Sequence, residues 1–142
     1  MTRPMTEPEW RAFLAAPART AKISTCPQDG RPHVVPVWYV PDGEDLLFFT
    51  GKHSVKGRAL SLDKRIAVCV DDDQPPFAFV LLQGHVTLSE DLTELSDAIR
   101  RLATRYVGPD RAEEFVQRNA VPGEYLVRVH IDKVTALTQL TA

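Results

Sequence analysis

The segment 51–65 combines residue types and a spacing that suit a phosphate group. Five cations stand there against one acid, in a chain whose net charge is -2: Lys52, Lys56, Arg58, Lys64 and Arg65 against Asp63. Ser54 can cap a helix at this point, and the free N–H groups and positive dipole end of a helix start favour an anion. The pattern predicts a phosphate site, with a solvated helix face as the alternative. Because Lys56 and Arg58 lie on opposite sides of an ideal helix, both serve one ligand only if it is long.

The elements that must position this segment begin with six predicted strands, where apolar side chains alternate between turn residues. Their ranges are 19–26, 31–40, 46–50, 65–70, 77–88 and 124–137. The runs Pro27-Gln28-Asp29-Gly30 and Asp42-Gly43 supply the turns of two hairpins. Pro32 and Pro36 cannot donate to a ladder, so the strand 31–40 is expected at an edge or a bulge.

Four helices are predicted from caps and periodicity. They are expected from Thr6 to before Pro17, from Ser54 to Asp63, at 91–106 and at about 111–119. Thr6 and Glu9 have the spacing of a capping box. The helix after Ser54 carries Val55, Ala59 and Leu62 on one face, which makes it amphipathic.

This order of elements predicts a mainly β fold, a six-stranded antiparallel barrel with short flanking helices. No helix falls regularly between strands, which excludes a doubly wound sheet. At 142 residues the chain is expected to form a single domain, 1–142. The side chains of so small a barrel fill its interior, so a large ligand must bind outside it, between barrels or at a dimer seam.

Composition excludes several classes of function. A hydrophobic fraction of 44% with a charged fraction of 25% is ordinary for a globular protein and gives no surface-wide polyanion site. We expect no nucleic-acid partner, because stacking aromatics do not line a basic groove. No apolar run reaches the roughly 20 residues of a membrane span, and no signal core is evident, so a cytoplasmic protein is expected. Two cysteines, Cys26 and Cys69, are too few for a cysteine metal site and are expected to stay reduced; we predict no metal.

Several runs of the chain carry a family resemblance. They are LFFTG at 47–51, SVKGRAL at 54–60, RIAV at 65–68 and DGRPHVVPVW at 29–38. The first three resemble the strand, phosphate turn and next strand of the pyridoxamine phosphate oxidase-like split-barrel flavoproteins, and the last is similar to that family's first hairpin. Within the superfamily the chain looks closest to the actinobacterial branch that uses the deazaflavin coenzyme F420.

The resemblance implies a split β-barrel that dimerises, with the cofactor at the subunit interface. The implied cofactor-binding residues are Val35, Pro36 and Val37 along the ring, Thr50, Gly51, Ser54, Val55 and Lys56 at the phosphate turn, and Lys52 and Arg58 toward the phosphate or an acidic tail. Gln83, on the polar face of its strand, is a candidate ring contact. The implied activity is hydride transfer from reduced F420 to a small conjugated acceptor such as a quinone, a tetrapyrrole or an enone.

Two alternatives stay open: an oxidoreductase of the same fold that uses flavin mononucleotide (FMN), and a non-enzymatic flavin- or tetrapyrrole-binding protein. The FMN oxidases commonly place an arginine where this chain has Val55, so a bidentate phosphate donor is missing. The arginine-rich, tryptophan-containing C-terminal segment of the pyridoxamine phosphate oxidases is also not found before Ala142. A proton would come from solvent or from Tyr39, His33 or His85, and no catalytic residue is assigned.

Overall fold

Eight strands and four helices form the part of the chain that the computed structural model describes, residues 1–16 and 18–142. The strands are β1 (Arg3–Pro4), β2 (Ala21–Thr25), β3 (His33–Val37), β4 (Val40–Asp42), β5 (Asp45–Gly51), β6 (Arg65–Asp72), β7 (Ala78–Ser89) and β8 (Glu124–Thr138). The helices are α1 (Glu7–Ala15), α2 (Val55–Leu62), α3 (Leu92–Val107) and α4 (Pro109–Asn119). No helix among these residues is both long and apolar enough to cross a membrane.

The strands form one antiparallel sheet in the order β3-β2-β6-β7-β8-β5-β4, with β1 paired to β8. The sheet curls around a core, and its two end strands, β3 and β4, are not paired with each other among the described residues. The predicted mainly β, antiparallel split barrel is therefore confirmed. The gap between the two end strands is called the split below.

The predicted number of strands is wrong, because the segment 31–40 is two strands that lie at opposite ends of the sheet. They are separated at Trp38 and Tyr39, where the chain crosses the split. Tyr39 is buried, its N–H donates to the Tyr106 hydroxyl at 3.2 Å, and its own hydroxyl donates to the Leu14 carbonyl at 2.8 Å. Contacts to α1 and α3 thus replace the ladder at this corner. The other unpredicted strand, β1, has two residues and is too short for an alternating pattern.

The predicted helix caps are confirmed. Thr6 and Glu9 form a capping box at the start of α1, and Asp91 accepts the Glu94 N–H at the start of α3. Ser54 accepts the Gly57 N–H at the start of α2. These three helices therefore begin where local side-chain chemistry satisfies an amide that the helix itself leaves free, whereas α4 follows Gly108 with no side-chain cap.

Large side chains fill the inside of the curled sheet. Tyr39, Phe48, Ile23, Leu60 and Leu82 are fully buried there, and a second cluster packs α3 and α4 against the outside of β5 and β8. The long antiparallel β7–β8 ladder has a bulge next to Gly84, where an added Cβ would stand 2.0 Å from the His130 carbonyl oxygen. Because the interior is filled, a large ligand has to bind on the outside of the barrel or in the split.

Candidate functional site

The turn between β5 and α2 is organised by two hydroxyl groups. The Ser54 hydroxyl donates to the Gly51 carbonyl at 2.7 Å and accepts the Gly57 N–H at 3.0 Å. The buried Thr50 hydroxyl lies 3.0 Å from Ser54 Oγ. Since the one hydrogen of Ser54 goes to Gly51, Thr50 must be the donor in this pair. Thr50 can therefore donate to a ligand only by releasing Ser54.

Gly57 allows α2 to approach the end of β5 very closely. An added Cβ at this position would stand 2.1 Å from the Gly51 carbonyl oxygen and 3.1 Å from the Lys52 carbonyl oxygen. A distance under 3 Å to backbone would force the helix away from the strand. Gly57 thus fixes the height of the first turn of α2 above the turn that precedes it.

The first turn of α2 offers donors for an anion. Gly57 and Arg58 donate their amides to Ser54, whereas the amides of Val55 and Lys56 have no partner among the described residues. Such first-turn amides point out of the helix start, where the helix dipole adds positive potential. The half-buried Lys56 lies on the same turn, and burial lowers the pKa of its ammonium group. We call this set, the Val55 and Lys56 amides with the Lys56 side chain, the cradle.

Two carboxylates lie beside the cradle. Glu90, which follows β7, accepts a hydrogen bond from Lys52 at 2.8 Å. Glu124, the first residue of β8, lies across the ladder from Gly51, and its charge opposes the effect of burial on the pKa of Lys56. Burial in turn raises the pKa of Glu124. Neither acid was predicted from the sequence, because both are far from α2 along the chain and only the sheet brings them near it.

The apolar stripe of α2 faces a groove. One side of the groove is lined by Val55, Ala59 and Leu62, and the Leu62 side chain is 69% exposed. The side of α2 that enters the core carries Gly57 and Leu60. The opposite wall is the β2–β3 turn, 27–29, and the cavity between them measures about 650 Å³. Arg58 also lines this groove. A ligand long enough to reach from the cradle into the groove can therefore contact both Lys56 and Arg58, although they lie on opposite sides of α2.

The other half of the predicted site, Val35 to Val37, lies on β3 at one end of the sheet. Pro36 has no N–H, so in an antiparallel ladder its nitrogen faces away from β2. By alternation the backbone groups that face the split belong to Val34 and Pro36, while those of Val35 and Val37 face β2. The structure thus corrects which backbone groups on this strand are free to meet a ligand, without moving the strand from the site.

The structure brings the β3 segment and the cradle to the two margins of the split. Residues 48–51 of β5 pair with β8 on one side, and β4 pairs only with residues 45–47 of β5, which leaves the other edge of 48–51 without a strand partner among the described residues. Because only Trp38 and Tyr39 separate β3 from β4, the Cα atoms of Val37 and Val40 lie at most about 11 Å apart at that corner.

Gln83 is not brought to either margin. It lies in one row across the sheet with Ala67, Ser24 and Val34. Its strand, β7, is three strands away from β3, so Gln83 is roughly 14 Å from Val34. Its side chain is exposed on the outer face of the sheet, whereas its neighbour Leu82 lies in the core with α2. Within one chain, Gln83 and the cradle are therefore on opposite faces of the sheet.

The three candidate proton donors differ in access. The Tyr39 hydroxyl is buried and bound to Leu14, and burial raises its pKa to about 12, so Tyr39 holds the corner and does not exchange protons with a ligand near neutral pH. His33 lies at the start of β3, and its buried Nδ1 has no partner among the described residues. His85 is exposed on the outer face, bound through Nδ1 to Asp132 at 2.9 Å.

Among the described residues, no group of three His, Cys, Asp or Glu side chains converges as a metal site would require. Trp38, considered as a pocket wall, instead stacks on Tyr106 at 5.0 Å between ring centres and packs with α3 and α4.

Comparison with known proteins agrees with this architecture. The chain is similar to a conserved hypothetical protein of Mycobacterium tuberculosis, with 24% identity over 97% of this chain and 89% of that one and a TM-score of 0.83. It is similar to an F420 reductase, with 23% identity over 86% of this chain and 93% of that one and a TM-score of 0.68. It is also similar to a FAD-binding protein of Mesorhizobium loti, with 20% identity over 96% of each chain and a TM-score of 0.72.

These structural likenesses establish a shared fold. No curated protein sequence matches the chain. Residues 6–138 match the family described as pyridoxamine 5'-phosphate oxidase, and this range includes both β3 and the cradle. The predicted family resemblance is thereby confirmed, and the chain belongs to the pyridoxamine 5'-phosphate oxidase family.

Proposed function

We propose that this protein is an F420-dependent reductase that passes a hydride from reduced F420 to a small conjugated acceptor. One observation carries the proposal. The cradle, with two free amides and Lys56, adjoins at Val55 an apolar groove that a second cation, Arg58, also lines. That arrangement suits a cofactor with a phosphate and an acidic extension, and the family match and the F420 reductase among the structural relatives support it.

The residues of this chain would divide the work as follows. The Val55 and Lys56 amides and the Lys56 ammonium group would bind the phosphate, with Thr50 as a further donor after it releases Ser54. Lys52 and Arg58 would meet the acidic tail. The β3 margin would hold the polar edge of the ring through the Val34 and Pro36 backbone. Bound deazaflavin would supply the hydride chemistry, and the protein would supply position and exclusion of water.

Gln83 and the groove belong to one site only if two chains contribute to it. We therefore propose a homodimer in which the outer sheet face of one protomer, with its Gln83, covers the split of its partner. The exposed side chains of Val34, which is 67% exposed, and Pro36 beside it favour such a cover. Light scattering should give twice the mass of one chain. A stable monomer that binds F420 with full affinity would contradict the shared site.

Fluorescence titration tests the cofactor. The wild-type protein should bind F420 more tightly than FMN. Lys56→Ala should weaken F420 binding by about tenfold or more, because it removes a charge-assisted hydrogen bond to the phosphate, and should leave thermal stability unchanged. Lys64→Ala is the matched control: Lys64 directly follows α2 but donates to the Ser61 carbonyl, so affinity should not change. Equal affinities for F420 in wild type and Lys56→Ala would overturn the assignment of the cradle.

Turnover separates an enzyme from a binding protein. Oxidation of reduced F420, followed by its absorbance, should proceed with at least one acceptor from a panel of quinones, tetrapyrroles and enones. Tight F420 binding with no turnover across the panel would favour the non-enzymatic alternative. We expect the protein to act in the cytoplasm, where its free thiols, Cys26 and Cys69, stay reduced.

A further inference from the structure

Two acids reduce the positive charge that side chains provide around the cradle. Lys52 is paired with Glu90, and Lys56 is faced by Glu124. The first turn of α2 adds no acid of its own. Two carboxylates therefore offset part of the charge of Lys52 and Lys56, and the Val55 and Lys56 amides with the helix start add to the attraction that an incoming anion meets.

Glu124 is the better placed of the two carboxylates to act on a ligand. It lies across from Gly51 in the β5–β8 ladder, and its Oε1 would be 3.6 Å from a Cβ built on Gly51. The carboxylate thus lies over the turn that leads into the free amides. Glu90, in contrast, is more exposed and engaged with Lys52.

The region around Glu124 is also poorly screened by water. Burial raises the pKa of the Glu124 carboxyl and lowers the pKa of Lys56, and the charge of each partly offsets the effect on the other. Partly buried charges such as these interact more strongly than fully hydrated surface charges do. A negative charge on a ligand in the cradle will therefore be repelled by Glu124 more than by acids elsewhere on the surface.

We propose that Glu124 is a specificity-determining residue that selects ligands by the charge of their phosphate, admitting a phosphodiester and disfavouring a phosphomonoester. The inference rests on the proposed function, since it assumes that the cradle holds the phosphate of a tricyclic cofactor. It assigns to this chain a reason to prefer F420, whose phosphate is a diester, over FMN, whose phosphate is a monoester.

The physical basis is the difference in charge. A phosphomonoester carries close to two negative charges at neutral pH because its second pKa is about 6, whereas a diester carries one. The Coulomb energy with Glu124 scales with the product of the charges. The factor by which Glu124 weakens a monoester is therefore the square of the factor by which it weakens a diester.

Three flavins that differ only at the phosphate test this relation: riboflavin, the methyl ester of FMN, and FMN. Glu124→Gln should leave the affinity for riboflavin unchanged, tighten binding of the methyl ester by about threefold and tighten binding of FMN by about tenfold. Glu113→Gln on α4 is the control and should change none of them. Glu124→Thr, which also suits a strand, should give the same pair of factors if the glutamine variant folds poorly.

The failures of the two proposals are distinguishable. If wild type binds F420 but both Glu124 variants change FMN and its methyl ester by the same factor, or not at all, charge selection by Glu124 is overturned and the cofactor assignment stands. If wild type and variants bind none of the tricyclic compounds, the proposed function fails and the charge selection fails with it.

Discussion

The helices on the two sides of the sheet differ in how their cations are partnered. Three of the five arginines of α3 and α4 pair with acids of the same protein: Arg100 with Asp97 and Glu113, Arg101 with Asp42, and Arg111 with Glu114. On α2, neither Lys56 nor Arg58 has a carboxylate within 4.0 Å among the described residues, and Arg58 lines the open groove. Cations that are neutralised internally contribute to the fold, whereas these two remain available to a ligand.

The hydroxyl groups of the two regions show the same contrast. The Tyr106 hydroxyl of α3 donates to the Arg19 carbonyl at 2.6 Å and accepts the Tyr39 N–H, so its bonds hold distant segments together. The Ser54 hydroxyl stays within its own turn and leaves two neighbouring amides free. The region of α3 and α4, called the closed region, uses its polar groups within the protein. The turn before α2 and the start of α2, called the open region, leave polar groups free for a ligand.

The largest expected effect tests whether close packing shapes the open region. Gly57→Ala should destabilise the protein by about 3 kcal/mol, because the new methyl group overlaps the Gly51 carbonyl and pushes α2 from β5. F420 affinity should fall as well, since the free amides move with the helix. Urea unfolding and titration measure both, with Ser61→Ala on the exposed side of α2 as the control for the unfolding measurement. A loss below about 1 kcal/mol would show that α2 shifts easily and that its contact with β5 does not define the cradle.

A substitution in the closed region should change the free energy of unfolding but not the affinity for F420. Tyr106→Phe should cost about 2 kcal/mol, because it leaves the Tyr39 N–H and the Arg19 carbonyl without their partner. F420 affinity should stay within twofold of wild type, roughly the error of such a titration. Tyr125→Phe is the control, since its hydroxyl makes no side-chain hydrogen bond among the described residues. A drop in affinity with unchanged stability would reverse the contrast between the two regions.

The smallest effect concerns the one acid at the end of α2. Two hydrogen bonds from Arg65 hold the pKa of Asp63 at about 2, below its ordinary value of 3.8. Because the folded-state pKa is the lower one, this pair stabilises the protein above pH 3.8 and the contribution is lost as the pH falls toward 2. The difference in melting temperature between wild type and Asp63→Asn should therefore be small at pH 7 and shrink through that window. A difference that grows on acidification would contradict the pairing.

The features that were predicted from sequence depend on neighbours a few residues apart. The caps at Thr6, Ser54 and Asp91 each bind an amide three residues onward, so a short stretch of sequence is enough to locate them. The strands β6, β7 and β8 were predicted to within about two residues because their alternation runs over eight or more positions. The cation cluster around α2 is likewise local in the chain.

By itself the sequence determined these local elements, the antiparallel class and the position of the turn that leads into α2, because hydrogen bonds and periodicity over short spans do not depend on the rest of the chain. Only the tertiary structure decided that 31–40 crosses the split, that Gln83 faces away from the cradle, and that Glu124 covers the turn at Gly51. These results depend on contacts between segments that are far apart in the chain, such as Tyr39 with Tyr106 and Gly51 with Glu124. Such contacts are set by how the whole sheet curls, and no short pattern of residues encodes that geometry.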